Sequence, residues 1–215
     1  MVSYKALNTR YITVDGKPMF VIWNPNDHSD EIVLFIKTWR KMAENNGLKG
    51  IYFVARQFLG TSVKELIDMG FDAVYQERTQ QAMNGGESFS LVHRIRNRIQ
   101  KIFGIQVFLD KHDFNKCFKL LVNEEAKKEN VIPSLVAGYD RSPRAGKKAQ
   151  IFYNFTPETW RKHVKDVFSY IKNKDDEHRL VILKSWNEWG ESNYLEPDLK
   201  YGTSMLDVLK EENDD

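Results

Sequence analysis

The sequence predicts an α/β fold in which parallel strands alternate with helices. Five short apolar runs have strand character, and stretches with helical spacing of apolar residues separate most of them. Parallel strands need long crossover connections, and intervening helices provide them. No Gly/Ser/Pro-rich linker or shift in composition divides the 215 residues. The sequence therefore predicts one domain over residues 1–215, with an acidic tail over residues 211–215.

The first half of the chain contains three of the predicted strands. Residues 11–14 alternate into an Asp-Gly turn, and a buried strand follows. Ser29 or Asp30 caps the first helix, and Gly47 offers a C-terminal stop. The apolar positions of this helix are Ile32, Val33, Ile36, Trp39, Met42 and Ala43. The predicted elements are a strand over residues 19–23, this helix, a strand over 50–54, a helix with Val63, Leu66 and Ile67 that ends at Gly70, and a strand over 71–75.

The second half begins with a long helical stretch, residues 89–128, in two pieces. The apolar faces consist of Leu91, Val92, Ile95, Ile99 and Ile102 in the first piece, and of Phe114, Phe118, Leu121 and Val122 in the second. Thr156 caps a later helix with Pro157 in its first turn. The remaining elements are a strand over residues 131–138, this helix, a strand over 180–183 and a closing helix over 201–210.

Composition and charge argue against several classes of partner. The net charge of +2 is too small for a protein that binds nucleic acid or membranes through bulk electrostatics. Basic residues interleave with the apolar face of the helix near residue 95, a pattern more typical of a solvated amphipathic helix. They are Arg94, Arg96, Arg98 and Lys101. No signal-peptide core or membrane-length apolar run occurs. We therefore expect a cytoplasmic protein with no nucleic-acid partner and no membrane span.

Cysteine and histidine usage predicts neither a disulfide nor a metal site. Cys117 is the only cysteine, and its surroundings suit a buried helix face rather than a reactive thiol. The histidines lack the spacing of metal ligands and have no cysteine cluster beside them. They are His28, His93, His112, His163 and His178. We expect no metal and no cofactor.

The segment with the clearest chemical signature directly follows the last predicted strand. Residues 186–191 read Trp-Asn-Glu-Trp-Gly-Glu, which places Glu188 and Glu191 three residues apart among large aromatic side chains. Carboxyl pairs with aromatic platforms are typical of carbohydrate chemistry, because one group handles protons at the scissile bond and the rings stack on sugar faces. The alternative is that both acids cap the structure that follows.

Three segments, residues 11–20, 138–147 and 186–202, resemble the WbsX-type proteins, whose domain is similar to glycoside hydrolase family 99. The resemblance covers roughly residues 10 to 210. It implies a (β/α)8 TIM barrel with its site at the C-terminal ends of the strands. Such a barrel takes about 250 residues, and the first three strand units of the family have no counterpart here. We therefore expect only about the last five βα units, in a chain that is N-terminally incomplete.

An incomplete barrel would expose two sheet edges and part of an apolar interior. A truncated gene, a split protein and a degenerate relative each remain open as explanations. We expect self-association or a complementing N-terminal chain.

The resemblance also implies roles for the two carboxylates. Glu188 would act as the base and Glu191 as the acid/base that protonates the departing oxygen, in a retaining reaction on α-mannose-containing glycans. Burial against the neighbouring aromatic rings would keep the acid protonated. We expect the substrate-binding residues to be Trp186, Asn187, Trp189, Tyr194, Glu196, Tyr139, Asp140 and Arg144. Tyr139, Arg141 and Ser192 depart from the usual family residues, so specificity can differ.

Two other functions compete with hydrolysis or transglycosylation. WbsX-type proteins carry a glycosyltransferase label and are usually encoded with polysaccharide assembly genes, which suggests a transferase in lipopolysaccharide or O-antigen biosynthesis. A basic loop would then hold the phosphate of a sugar donor; its residues are Arg141, Arg144, Lys147 and Lys148. No Asp-x-Asp pair occurs in the sequence, so we rank this function second. The third possibility is a non-catalytic sugar-binding fragment.

Overall fold

The computed structural model describes residues 11–27, 29–85, 95, 98–99, 102–103 and 109–214. The helix predicted from Leu91 to Ile102, with its basic face, lies largely outside these residues. The chain has the predicted α/β fold and divides into two compact units, each assembled from separate stretches of sequence. The first unit consists of Met1–Glu77, Glu125–Pro133 and Ile171–Leu180, and the second of Arg78–Glu124, Ser134–Tyr170 and Val181–Asp215.

The elements are numbered in chain order. The strands are β1 (Thr13–Val14), β2 (Lys17–Ile22), β3 (Tyr52–Arg56), β4 (Ala73–Gln76), β5 (Asp110–Asp113), β6 (Val131–Val136), β7 (Gln150–Tyr153), β8 (Ile182–Lys184), β9 (Asn187–Glu188) and β10 (Asn193–Tyr194). The helices are α1 (Ser29–Asn45), α2 (Val63–Asp68), α3 (Thr79–Gly85), α4 (Phe114–Cys117), α5 (Ser142–Ala145), α6 (Pro157–Ile171) and α7 (Ser204–Asp214). None of the helices in the described ranges combines the length and hydropathy that a membrane crossing requires.

The first unit is a parallel sheet with a short hairpin at its start. β1 pairs antiparallel with β2 through a turn at Asp15 and Gly16, both of which have positive φ. β2 pairs parallel with β3, β3 with β4, and β4 with the beginning of β6. The side chains of Ser62 and Glu65 form a capping box that starts α2. These strands lie where the apolar runs predicted them, within a few residues.

The core of the first unit packs α1 and α2 against the sheet. Ile36, Phe53 and Leu66 are buried in one cluster there. Of the apolar positions predicted for α1, however, Trp39 and Met42 are 43% and 55% exposed. The spacing of apolar residues identified the correct side of the helix but overestimated the width of the buried stripe, since Trp39 packs at its margin against Phe20 and Phe35.

The second unit contains a strand pair that the sequence did not predict. β5 pairs parallel with β7, although β5 reads Asp-Lys-His-Asp and offers no apolar run. The helix predicted beyond residue 114 is instead α4 followed by two 3₁₀ turns, Phe118–Leu120 and Glu124–Lys127. Its apolar residues Phe114, Phe118, Leu121 and Val122 are nevertheless buried, as is Cys117.

α7 reaches into the predicted acidic tail and extends through residue 214. Two acids of this segment contact Arg161 of α6, whose Nη2 lies 2.6 Å from Glu211 Oε2 and whose Nη1 lies 2.7 Å from Glu212 Oε1. The Glu212 side chain is only 8% exposed. α6 and α7 also meet at the buried indole of Trp160, which donates to the Met205 carbonyl.

Candidate functional site

The predicted carboxylates lie in a compact hairpin that follows β8. β9 and β10 pair antiparallel, with Glu188 opposite Asn193. A 3₁₀ turn over Trp189–Glu191 connects them, and Ser192 ends this turn in the left-handed conformation with φ of 45°. The hairpin therefore places Glu188 and Glu191 within one short turn at the carboxyl end of a parallel strand, as the sequence predicted.

A buried amide fixes the base of this hairpin. The side chain of Asn193 is 1% exposed and donates to three carbonyl oxygens. Two belong to Ala137 and Gly138, which follow β6, and the third belongs to Lys184 at the end of β8. The two N–H groups of this amide, one of them shared between two acceptors, join the ends of the two strands to the hairpin.

The two carboxylates share a single guanidinium group. Arg144 Nη2 donates to Glu188 Oε1 at 3.1 Å, and Arg144 Nη1 donates to Glu191 Oε1 at 3.3 Å. Arg141 Nε also lies 3.3 Å from Glu191 Oε1, although this contact lacks hydrogen-bond geometry. The Glu188 and Glu191 side chains are 40% and 16% exposed. A positive charge thus holds a close pair of acids at a partly open surface.

The loop that carries Arg144 is positioned by backbone contacts. Asp140 Oδ1 accepts a hydrogen bond at 2.7 Å from the backbone amide of Ser142, the first residue of α5. The Asp140 amide donates to the Glu191 carbonyl at 2.6 Å, and Phe152 in β7 donates to the Tyr139 carbonyl. The loop after β6 is therefore joined both to the unpredicted strand β7 and to the hairpin.

Gly190 lies close to the carboxylate pair and leaves little room for a side chain. A Cβ atom on Gly190 would lie 3.1 Å from Glu188 Oε1 and 3.3 Å from Arg144 Nε. Both distances are shorter than ordinary van der Waals contact, so the Glu188 or Arg144 side chain would have to shift by a few tenths of an ångström.

An aromatic pair flanks the acids. The rings of Trp189 and Tyr194 stack with centroids 3.7 Å apart and planes inclined by 17°. Trp189 Nε1 donates to Glu196 Oε2 at 2.6 Å, and the Tyr194 hydroxyl donates to Asp198 Oδ2 at 2.9 Å. Burial, with the hydrogen bond to Asp198, raises the pKa of Tyr194 to about 12. Tyr194 therefore acts as a neutral donor rather than as a base.

A pocket of about 210 Å³ lies beside the hairpin, but Glu188 and Glu191 do not line it. Its polar lining includes Asp140, Glu196 and Asp198, and its walls include Tyr194 and Tyr201. The carboxylate pair lies on a more open surface, so the pocket and the pair are neighbouring features. No three His, Cys, Asp or Glu side chains within the described part of the chain are grouped to hold a metal ion.

A model of the family described as glycosyltransferase WbsX matches residues 3–209. The chain belongs to the WbsX glycosyltransferase family. Two curated relatives, both named uncharacterized protein WxcX, come from Xanthomonas campestris pv. campestris strains B100 and ATCC 33913. Each is 25% identical over 205 residues, which are 95% of this chain and 28% of the relative. This WbsX-family chain therefore spans less than a third of the length of the relatives it matches.

A solved glycoside hydrolase-like protein shares the fold. It aligns with a TM-score of 0.57 and 17% sequence identity, over 97% of the WbsX-family chain and 57% of the other. The likeness in fold agrees with the α/β class predicted from the sequence.

The structure brings some of the predicted residues together and separates others. Glu188, Glu191 and Arg144 form one group, and Trp189, Tyr194 and Glu196 form a second beside it. Trp186 and Asn187 are exposed at the surface of the same hairpin. Tyr139 is only 6% exposed and belongs to a core cluster, while Asp140 lines the pocket.

Two polar residues that line the pocket, Asp198 and Tyr201, were not predicted as site residues. Both lie in residues 186–202, one of the three segments that carried the family resemblance, and this was the available signal. Arg141, which the sequence placed in the basic loop for a phosphate, contacts Glu191 instead. The structure also places guanidinium groups against Glu191, where the sequence suggested aromatic neighbours.

Proposed function

We propose that this WbsX-family chain acts on the glycosidic bonds of polysaccharide or O-antigen type glycans, by retaining hydrolysis or transglycosylation, with Glu188 and Glu191 as the reacting carboxylates. The contact of both acids with Arg144 carries the proposal. Such an arrangement keeps two acids close together without leaving their repulsion uncompensated. The stacked rings of Trp189 and Tyr194 supply the neighbouring aromatic surface.

In the proposed reaction Glu188 accepts the proton of the sugar 2-hydroxyl, whose oxygen attacks the anomeric carbon as the glycosidic bond breaks. Glu191, which this reaction requires to be protonated when the substrate is bound, gives its proton to the departing oxygen. Water or an acceptor hydroxyl then opens the anhydro-sugar, gives a proton to Glu191 and restores the 2-hydroxyl with the proton from Glu188. All guanidinium contacts use the Oε1 atoms, and among the described residues nothing hydrogen-bonds the Oε2 atoms. One oxygen of each carboxylate is therefore free for proton transfer.

Substitution of each carboxylate tests these roles. Glu188→Gln and Glu191→Gln are expected to lower the turnover of α-mannose-containing oligosaccharides by at least about 100-fold, the usual minimum for general acid–base catalysis. Glu31→Gln, in an exposed position of α1, is the matched control. Turnover that survives in both active-site variants while the control behaves normally would disprove the assignment.

We further propose that five of the parallel strands, β2, β3, β4, β6 and β8, belong to about the last five βα units of a (β/α)8 barrel. They pair in chain order, β2 with β3, β3 with β4, β4 with β6 and β6 with β8, while β5 and β7 pair separately with each other. A barrel has this order, whereas a doubly wound sheet reverses direction. The fold likeness to a glycoside hydrolase-like protein supports the proposal.

We propose that additional polypeptide completes such a barrel, supplied either by a complementing N-terminal segment or by a second copy of this chain. Phe20 and Val21 of β2 are 38% and 39% exposed, and exposed apolar residues on a strand favour association. Sedimentation velocity at increasing protein concentration tests self-association. If the protein is a monomer at every concentration, self-association is excluded and the complementing chain is the proposed partner.

The family description favours a second function, glycosyl transfer. We propose lipopolysaccharide or O-antigen biosynthesis as the process that such a transferase would serve. Its phosphate-binding loop would need free cations, yet Arg141 and Arg144 both contact Glu191, while Lys147 and Lys148 are exposed. We therefore rank transfer from a sugar phosphate second. Donor turnover that is insensitive to Glu188→Gln but lost in a Lys147→Ala/Lys148→Ala variant would reverse this order.

A further inference from the structure

Three consecutive parallel strands of the first unit end in residues to which no role has yet been given. Trp23 directly follows β2, Arg56 is the last residue of β3, and Gln76 and Glu77 end and follow β4. Because β2, β3 and β4 are neighbours, these residues lie along one edge of the sheet. Ligands of parallel α/β sheets bind at this carboxyl edge.

Arg56 is held rigidly at the centre of this edge. Its guanidinium carbon lies 4.0 Å from the ring centroid of Trp23 and 4.3 Å from that of Phe58. Its Nη2 also lies 3.0 Å from Glu77 Oε2, and the Arg56 and Glu77 side chains are 16% and 6% exposed. Trp23 nevertheless remains 58% exposed. The edge therefore presents a large open indole next to a largely buried ion pair.

Two buried polar atoms at the same edge have no hydrogen-bond partner in the described structure. They are Arg56 Nε and Gln76 Oε1, and Gln76 as a whole is 2% exposed. Gln76 Nε2 is used fully, since it donates to Gln57 Oε1 at 2.8 Å and to Glu125 Oε2 at 3.0 Å. Burying a polar atom without a partner is unfavourable, because the atom loses its hydrogen bonds to water. Such atoms are candidates for bonds to a ligand or to bound water.

The surrounding loops are already fixed in place. Asn26, in the loop after β2, donates to Thr61 Oγ1 at 2.8 Å. Gln57, after β3, donates to the Thr61 carbonyl at 2.7 Å. These bonds join two loops of the same unit, so a ligand would meet a preformed surface and would not have to order it.

We infer that Trp23, Arg56 and Glu77 form a binding subsite for a neutral oligosaccharide. The indole offers a flat apolar surface for the C–H face of a sugar ring. The guanidinium donates and the carboxylate accepts, so the pair matches two neighbouring hydroxyls. A phosphate is disfavoured, since Glu77 already compensates the charge of Arg56. The choice of a sugar rests on the proposed function, but the geometry of the subsite does not depend on Glu188 or Glu191.

Fluorine NMR of protein labelled with 5-fluorotryptophan reports on this subsite separately from the acidic pair. The chain has five tryptophans, Trp23, Trp39, Trp160, Trp186 and Trp189, and single Trp→Phe variants assign the five signals. The titrants are α-linked mannotriose, maltotriose, cellotriose and inorganic phosphate at millimolar concentrations, added to the Glu188→Gln/Glu191→Gln protein so that no titrant is consumed. We expect the Trp23 signal to shift with at least one oligosaccharide and not with phosphate. The signals of buried Trp160 and of Trp39 on α1 should stay in place.

Substitutions then connect the shift to the ion pair. Glu77→Gln and Arg56→Lys should each weaken the binding that moves Trp23 by at least about tenfold, as expected for hydrogen bonds to charged groups. Unchanged Trp39 and Trp160 signals show that each variant is folded. If Glu77→Gln unfolds, Arg56→Lys still tests the ion pair, because it keeps the positive charge beside Glu77. No Trp23 shift with any oligosaccharide, a shift with phosphate alone, or a shift unaffected in folded variants would overturn the inference. If turnover depends on Glu188 and Glu191 but the Trp23 signal does not shift, the subsite is disproved and the proposed function stands. If the Trp23 signal shifts but the protein has no turnover, only the proposed function is disproved.

Discussion

Arg144 Nη2 lies 3.1 Å from Glu188 Oε1, so an arginine from the segment after β6 holds an acid in the hairpin that follows β8. Because the same guanidinium also contacts Glu191, it acts as a common counter-charge for both carboxylates. From the sequence, Arg144 was expected to bind the substrate directly. The contacts favour a positioning role, in which Arg144 acts through the two acids.

Arg144→Ala should therefore reduce glycan turnover by at least about 100-fold with little effect on folding. Its side chain is 55% exposed, and exposed ion pairs contribute only about 0.2–1 kcal/mol to stability. Arg144→Lys should restore activity only in part, because one ammonium cannot reproduce the planar fork that contacts two carboxylates. Steady-state kinetics and urea unfolding measure the two effects. Lys147→Ala, exposed in the same loop, is the control, and equal losses in both variants would contradict the positioning role.

Gly190→Ala tests how closely this arrangement is packed. The added methyl would lie 3.1 Å from Glu188 Oε1, so the carboxylate or Arg144 must move. We expect kcat to fall by about tenfold or more, since small displacements of reacting groups have large effects on rate. Thermal unfolding should show a folded protein. A variant with normal kcat would show that the position of Glu188 in the free protein is not the reacting one.

Asn193→Ala should be the most destabilising substitution in the hairpin. The two N–H groups of the buried amide serve three carbonyl oxygens. The Lys184 oxygen also accepts from the Ala137 backbone N–H at 2.8 Å, so the substitution chiefly affects the Ala137 and Gly138 oxygens. Leaving buried polar groups unsatisfied costs about 1–3 kcal/mol, so we expect a loss of about 2–3 kcal/mol in the free energy of unfolding. Asn187→Ala, on the exposed face of β9, should change it by less than about 0.5 kcal/mol. Urea unfolding of the two variants under the same conditions provides the comparison, and similar values for both would refute the role of Asn193.

Local sequence signals predicted the features that depend on neighbours along the chain. The apolar run before residue 184 and the Trp-Asn-Glu-Trp-Gly-Glu segment placed Glu188 and Glu191 at the end of a parallel strand. Thr156 and Pro157 likewise marked the start of α6, whose buried residues follow helical spacing. Periodicity and caps are properties of short segments, so the sequence is sufficient to recognise them.

Features that depend on distant partners were not predictable in this way. β5 is a strand because it pairs with β7 some 40 residues later. Its charged residues do not form the apolar pattern by which strands are recognised in a sequence. The bond between Arg144 and Glu188 spans 44 residues, and no local pattern indicates it. Arg56 shows the same limit, since its contacts with Trp23 and Glu77 arise only when three strands align.

The pH dependence of stability should report on His163 in α6. This side chain is fully buried, its Nε2 accepts from the Val136 amide at 3.1 Å, and burial lowers its pKa to about 3. In the unfolded chain the pKa is about 6.5, so below that pH the unfolded state binds the extra proton and gains stability relative to the folded state. The contribution of His163 is thus intact above about pH 6.5 and is lost as the pH falls towards 3, by up to about 1.4 kcal/mol per pH unit.

Because other groups also titrate over this range, the test compares two proteins. Urea unfolding is measured at pH 7, 6, 5 and 4 for the wild type and for His163→Gln. The amide oxygen of the glutamine can accept the same hydrogen bond but does not titrate. The wild type should lose stability more steeply between pH 6 and 4, and parallel curves would show that His163 is protonated in the folded protein.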